Sequence, residues 1–292
     1  MPKTDTRRRL LQRGIQLGGF LAVPAVAEAQ TAAAPRRPAP ANETLKVIES
    51  LRTIHGDFTE ARVPDDKLDT ILDAAVRAAN ASNMQSYSIV VSREPDKIMK
   101  LTGYRGPCLL LFCADHTRIA DVARRLGRPF NGAGMDSFVT SSTNTILAAQ
   151  TAAIAAKSLG IGSMFTNGIH RGDMERVWDL LGLPQQSCVP LIALILGFPK
   201  SEPPYRTGRL RGPGIVHYER YQRLDEKQMD EIIRQHDDPS QHLGLNDDWR
   251  KSYKHYLDWF YADWLGRFKP APGEGPMFRR LKKSGYIDGQ SG

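Results

Sequence analysis

A chain of 292 residues with 41% hydrophobic and 25% charged side chains can bury an ordinary core, which excludes bulk disorder and leaves one large or two small domains. Part of its formal charge of +8 lies at the start: the first 29 residues hold Lys3, Arg7, Arg8, Arg9 and Arg13 against Asp5 and Glu28, leaving +5 for the remainder. That excess is scattered without a basic stripe, so no nucleic-acid partner is expected.

The N-terminus, TRRRLLQRGIQLGGFLAVPAVAEAQ, places a basic stretch before a moderately apolar run from Ile15 to Ala27, and Ala27-Glu28-Ala29 supplies a small-residue cleavage pattern. Thr6-Arg7-Arg8-Arg9-Leu10-Leu11-Gln12 resembles a twin-arginine signal, whose pathway exports proteins already folded. Residues 1–29 are therefore expected to be a signal read by Tat-type export machinery, with periplasmic localisation. The alternatives are a basic tail followed by a short buried helix, or an uncleaved anchor, for which the Gly-interrupted run is short. Residues 30–43 read as an Ala/Pro-rich linker, and 44–292 as the folded domain with a C-terminal helical extension.

In chain order, a helix is expected from Thr44, with Leu45, Ile48 and Leu51 on one face, stopping near Arg52-Thr53 because His55-Gly56-Asp57 breaks the pattern. Pro64-Asp65-Asp66 starts a second, with Leu68, Ile71, Leu72, Ala75 and Val76 at helical spacing. That helix runs into a polar cluster, Asn80, Ser82, Asn83, Gln85 and Ser86, just before a strand, SIVVS. The runs PCLLLFCAD and SCVPLIALILGF read as fully buried strands. Their cysteines, Cys108, Cys113 and Cys188, read as buried thiols, because no metal-ligand spacing is present and a bridge along one strand would be too long.

Between those strands lies a helix, SSTNTILAAQTAAIAAKSLG, whose small side chains suit close packing inside a core or against a partner subunit. IGSMFTNG follows as a short strand, and then a helix from Asp173 to Leu181 stopped by Gly182. Beyond a Pro/Gly/Arg loop come LDEKQMDEIIRQ and an aromatic segment. In it Trp249, Tyr253, Tyr256, Leu257, Phe260, Tyr261 and Trp264 recur at spacings of three and four, predicting one helix with a buried face.

Three segments taken together, Arg52-Thr53-Ile54-His55, Asn80-Ala81-Ser82-Asn83-Met84-Gln85 and the Gly160–Gly168 stretch GIGSMFTNG, resemble the FMN-dependent nitroreductase family in motif type and order. The likeness spans roughly Thr44 to Leu210. Leu196-Gly197-Phe198-Pro199 followed by Tyr205-Arg206-Thr207-Gly208-Arg209-Leu210, with YQRLD and FRRLKKSGYI further on, resembles its group-A, flavin-reductase-like branch.

The resemblance implies an α+β fold with a central, mostly antiparallel sheet flanked by helices, in an intertwined homodimer whose FMN sites draw on both chains. It implies that Arg52, Thr53 and His55 face the FMN phosphate, joined by Arg209 and Arg206. Asn83 and Gln85, with Asn80, Ala81 and Ser82 nearby, would meet the polar edge of the ring. Phe165, Thr166, Asn167 and Gly168 would bring backbone toward its reacting face. The implied activity passes electrons from a small-molecule donor through FMN to an acceptor such as a nitroaromatic or quinone, with no catalytic acid, nucleophile or metal. An FMN-binding electron carrier and a flavin-fragmenting or dehalogenating relative are the alternatives.

Several positions depart from the family pattern. His55 replaces a second arginine, Gly56-Asp57 looks like a one-residue insertion, and Asn167 stands where a glycine is common. Asp237, Asp238, Asp247 and Asp248 occupy the region where that branch reads the phosphate of NADPH, which points to a different donor.

Overall fold

The computed structural model describes residues 42–130, 132, 134–267 and 274–287. The expected signal over 1–29 and all but the last two residues of the expected linker lie outside them. Along the chain run α1 (Glu43–Glu49), α2 (Asp65–Val76), β1 (Tyr87–Ser92), α3 (Pro95–Thr102), β2 (Cys108–Asp115), α4 (Thr117–Arg125), α5 (Met135–Ser158), β3 (Gly162–Thr166), α6 (Glu175–Leu181), β4 (Cys188–Gly197), α7 (Glu226–Asp237), α8 (Tyr256–Trp259) and α9 (Pro276–Lys283). Among the described residues no helix is long and apolar enough to cross a membrane.

The four strands form one sheet in the order β1-β2-β4-β3, every neighbouring pair antiparallel. β2 and β4 take the centre because their continuous apolar runs can be covered on both faces. Alternation then divides their side chains. Leu109, Leu111, Cys113 and Ile195 pack with Ile98, Leu101, Val177 and Trp178 on one face. On the other, Leu110, Phe112, Leu194 and Leu196 pack with Ile71, Ala75, Ala148, Ala152 and Ala156. All three cysteines are free and buried. Burial pushes the Cys108 thiol up to about 11, and the adjoining Cys188 thiol together with burial holds Cys113 well above the usual range.

α5 begins six residues before the expected Ser141, and its small residues take the first of the two expected roles, packing inside a core. Ala148, Ala149, Ala152, Ala153 and Ala156 face the sheet and α2, letting the two helices and the strands close up within one chain. The outward face of α5 carries larger apolar groups, with Met135, Val139, Ile146 and Leu147 exposed.

The aromatic segment is not one helix. It splits into a 3-10 turn (Asp248–Lys251), α8, a π turn (Phe260–Trp264) and a further 3-10 turn (Leu265–Arg267). The break has a local cause. Asp237 at the end of α7 accepts from the Tyr256 amide at 2.8 Å and binds His255 Nδ1 at 2.6 Å, while Asp258 accepts from the His255 amide, so a new helix starts at Tyr256. Trp249, Tyr256 and Trp259 are buried together. Tyr261, at 63% exposure, lies outside that cluster.

The C-terminal α9 returns to the main body. Arg280, 2% exposed, stacks 3.6 Å over the Trp178 ring centroid and donates to Glu175 and Gln185. Tyr286 donates from its hydroxyl to the Ser187 carbonyl at 2.8 Å and meets His116 Nδ1 at 3.0 Å.

Candidate active site

The segment after α1 runs along the free edge of β3. Thr53 makes a parallel bridge to Ser163, and the Ile54 amide donates to the Ser163 carbonyl at 3.0 Å. Parallel pairing carries Arg52 toward the start of β3 and His55 toward its end. Further on, Phe58 bridges Pro199, and Lys200 donates to the Asp57 carbonyl. Gly56, at φ +79°, supplies a left-handed turn between His55 and Phe58.

Arg52 lines a cavity of about 60 Å³ with Lys157, Ser163, Pro199 and Glu202. Its guanidinium pairs with the Glu202 carboxylate at 2.5 Å. Thr53 and His55 are exposed on the same edge. Of the two loop arginines, Arg206 reaches the Glu49 carbonyl at the end of α1, close in sequence to Arg52. Arg209 folds back onto the carbonyls of Thr207 and Gly208.

At the far end of β3, Phe165 is half-buried, Thr166 buried and Asn167 exposed. The Gly168 amide donates to the Thr166 hydroxyl at 3.0 Å. A Cβ on Gly168 would fall 2.0 Å from the Thr102 carbonyl oxygen, so this glycine is required by the close packing of α3.

The polar junction before β1 is a strained turn. Ser82, Asn83 and Gln85 have φ of +53°, +53° and +50°, a conformation that costs non-glycine residues roughly 1–2 kcal/mol each. Several groups hold it in place. Asn144 on α5 accepts from the Ala81 amide at 2.9 Å and donates to the Ser86 hydroxyl at 2.9 Å. Ser141 donates to the Ser86 carbonyl, and Asn80 accepts from the Gln85 amide at 3.0 Å. Arg118 on α4 donates to the carbonyls of Met84 and Gln85. The carboxamides of Asn83 and Gln85 make only long contacts, 3.4 to 3.5 Å, around Asn83, which leaves their donors and acceptors facing outward.

Strand directions fix where this turn sits. β1 begins and β3 ends at the same end of the sheet, but β2 and β4 separate them. Three inter-strand spacings put the Asn80–Gln85 turn about 14 Å from the Thr166–Gly168 edge within one chain. Arg52, Thr53 and His55 thus share an edge with Phe165–Gly168, and Asn80–Gln85 does not.

The four acids of the C-terminal region are engaged locally. Asp237 binds His255 and Tyr256, and Asp238 caps Ser240. Asp247 pairs with Arg250 and Asp248 with Lys251. Their charge is partly neutralised in place.

The nitroreductase family model matches residues 48–124 and 100–198, more than half of the chain. The chain belongs to the nitroreductase family. The matched span runs from α1 through β4 and stops short of the loop bearing Arg206 and Arg209. Within this family the chain is 30% identical over 192 residues to an NADPH-flavin oxidoreductase of Vibrio harveyi, covering 63% of this chain and 77% of that protein. It is 31% identical over 195 residues to an oxygen-insensitive NADPH nitroreductase of Salmonella typhimurium, with the same two coverages. The solved structure of B. megaterium NfrA2 superposes with a TM-score of 0.68 at 25% identity, covering 84% of this chain and 98% of that one.

Glu202, Lys157, Ser163 and Arg118 were not singled out from the sequence. Lys157 had one usable signal, a cation in the last turn of a small-residue helix, where it complements the helix dipole. Glu202 and Arg118 had none, since each acquires its role from residues far away in sequence.

Proposed function

We propose that the protein is an FMN-dependent oxidoreductase that passes electrons from a small-molecule donor to a nitroaromatic, quinone or similar acceptor. The residues fit the cofactor. On the β3 edge the Glu202 carboxylate already stands as an anion on the Arg52 guanidinium, with Lys157 lining the same cavity, as a phosphate site requires. At the opposite edge the outward carboxamides of Asn83 and Gln85 offer the alternating donors and acceptors that a flavin's polar edge takes. Bound FMN supplies the electron transfer; Arg52 and Lys157 hold its anionic end, and the Asn80–Gln85 turn orients its ring edge.

The observation that carries this reading is the division of the two half-sites between opposite sheet edges. With β2 and β4 between the two half-sites, this division supports a flavin held between two copies in a homodimer. Two apolar surfaces support that assembly: the outward face of α5, with Val139, Ile146 and Leu147, and the arm bearing Ile215, Val216, Tyr218 and Tyr221, all exposed in a single chain. Relatives include proteins named as FMN reductases from Bacillus subtilis, which supports the choice of cofactor.

The sequence of residues 1–29 supports Tat-type export of the folded holoprotein to the periplasm, and the acids at Asp237, Asp238, Asp247 and Asp248 support a donor other than free NADPH.

The test is an absorption spectrum of the purified protein, release of the pigment by heat, and turnover of a quinone or nitroaromatic by chemically reduced protein. Oxidised-flavin bands, free FMN in the supernatant and catalytic turnover are expected. A protein that is colourless and takes up no added FMN would overturn the reading, and flavin without turnover would leave an electron carrier. Export is checked by fractionating cells that express the full chain, and the donor by stopped-flow mixing with NADPH, where fast stoichiometric bleaching contradicts the donor proposal.

A further inference from the structure

We infer that Arg118 is a positioning residue for the flavin half-site on the β1 edge: it acts through the backbone of Met84 and Gln85, setting where the Asn83 and Gln85 carboxamides point. The inference rests on the FMN reading of that turn.

The turn holds three left-handed non-glycine residues within four positions, Ser82, Asn83 and Gln85. Such strain persists only where surrounding structure over-determines it. The anchors from α5 grip the ends of the turn, Asn144 at Ala81 and Ser86, and Ser141 at Ser86. Its centre has a different support. Among the described residues, Arg118 is the one side chain from outside the turn that bonds the peptide units of Met84 and Gln85, at 3.3 and 2.6 Å from a single Nη2, while the Tyr87 amide at the start of β1 also donates to the Gln85 carbonyl at 2.8 Å.

A guanidinium suits this task. It is planar and permanently charged, so the two N–H groups of its Nη2 point in fixed directions toward two successive carbonyls, whereas an ammonium is a freely rotating point charge. Arg118 sits in the first turn of α4, immediately after β2, so its backbone is fixed by the central sheet. Asp115 reinforces that junction: its carboxylate accepts from the Thr117 amide at 2.8 Å and from the Ser88 hydroxyl at 2.5 Å. The sheet thereby holds α4, α4 holds Arg118, and Arg118 holds the residues that present the two carboxamides. Arg118 itself is exposed, so its removal leaves the hydrophobic core unchanged.

The experiment measures FMN dissociation constants and the bound flavin's visible spectrum for full-length wild type, Arg118→Gln, Arg118→Lys, Asn83→Ala/Gln85→Ala and the triple variant. Loss of two charge-assisted hydrogen bonds is expected to weaken FMN binding by about tenfold or more in Arg118→Gln and to shift the flavin bands, with Arg118→Lys intermediate. In the Asn83→Ala/Gln85→Ala background the further loss of Arg118 is expected to add little, because a residue that acts through others has no effect once they are gone. Wild-type affinity and spectrum in Arg118→Gln, or full additivity in the triple variant, would overturn the inference while leaving the FMN reading intact. Failure of the wild type itself to bind FMN would instead sink the reading beneath it. Should Arg118→Gln lose its fold, the decision passes to Arg118→Lys, for which wild-type affinity and spectrum count against the inference.

Discussion

Arg52 and Glu202 form a 2.5 Å ion pair of unequal burial: the arginine side chain is 13% exposed and the glutamate 71%. The cation is therefore fixed by the protein while its anion sits on a surface loop, an arrangement that lets a stronger anion displace the carboxylate. Exchange for a phosphate should be opposed only by the modest strength of a partly solvated pair. Glu202→Gln is expected to tighten FMN binding about three- to tenfold, and Arg52→Gln to weaken it by about tenfold or more. Fluorescence titration of the two variants with FMN checks both signs.

Gly168 predicts a sharper, purely steric effect. The Thr102 carbonyl oxygen stands 2.0 Å from where a Cβ would lie, and backbone cannot yield as a side-chain tip does. Gly168→Ala should destabilise the fold by about 1–3 kcal/mol, read as a lowered denaturation midpoint, and should weaken FMN binding as the end of β3 shifts.

The polar turn shows how far sequence reading carries and where it stops. Its polar residues stand out in the sequence because amides and hydroxyls cluster before a strand, yet they divide into two roles. Asn80 and Ser86 satisfy backbone and α5 groups, while Asn83 and Gln85 face outward. No local pattern separates them, because Ser141 and Asn144 lie more than fifty residues further along. The strands β2 and β4 were legible from apolar runs alone. α3 and α4 were not expected: the first is eight residues long with a short buried stripe, and the second has no buried residue. The aromatic segment misled because spacings of three and four also fit a chain that folds back on itself in short turns. The decisive residue there, Asp237, belongs to the preceding helix.

Acidification should loosen the C-terminal docking. Burial holds His116 below its usual value of 6.5, so the unfolded chain binds a proton there before the folded chain does. The contribution is fully present above pH 6.5 and is lost as pH falls from there through the lowered folded value. Thermal midpoints measured between pH 7.5 and 5 should fall for the wild type and fall less for His116→Gln. At neutral pH, Tyr286→Phe should cost about 1–2 kcal/mol through loss of the hydroxyl that bonds Ser187 and His116.

The stacked arginine offers a complementary test of the same docking. Arg280→Ala removes a cation lying on Trp178 and leaves a gap beneath α9, and should destabilise by about 2–4 kcal/mol in denaturant titration. Arg280→Met, which refills the space with apolar atoms, should recover much of that loss, since Glu175 is left partly solvated rather than buried and unpaired.

The most direct measurement is subunit complementation. Arg52→Gln damages the half-site on the β3 edge, and Asn83→Ala/Gln85→Ala damages the one on the β1 edge. If a single flavin bridges two copies, co-refolding the two variants yields mixed dimers in which one site is intact and the other doubly defective, so tight FMN binding returns to half of their sites. Mixed dimers that bind no more FMN than either parent would place both half-sites on one chain and contradict the central claim.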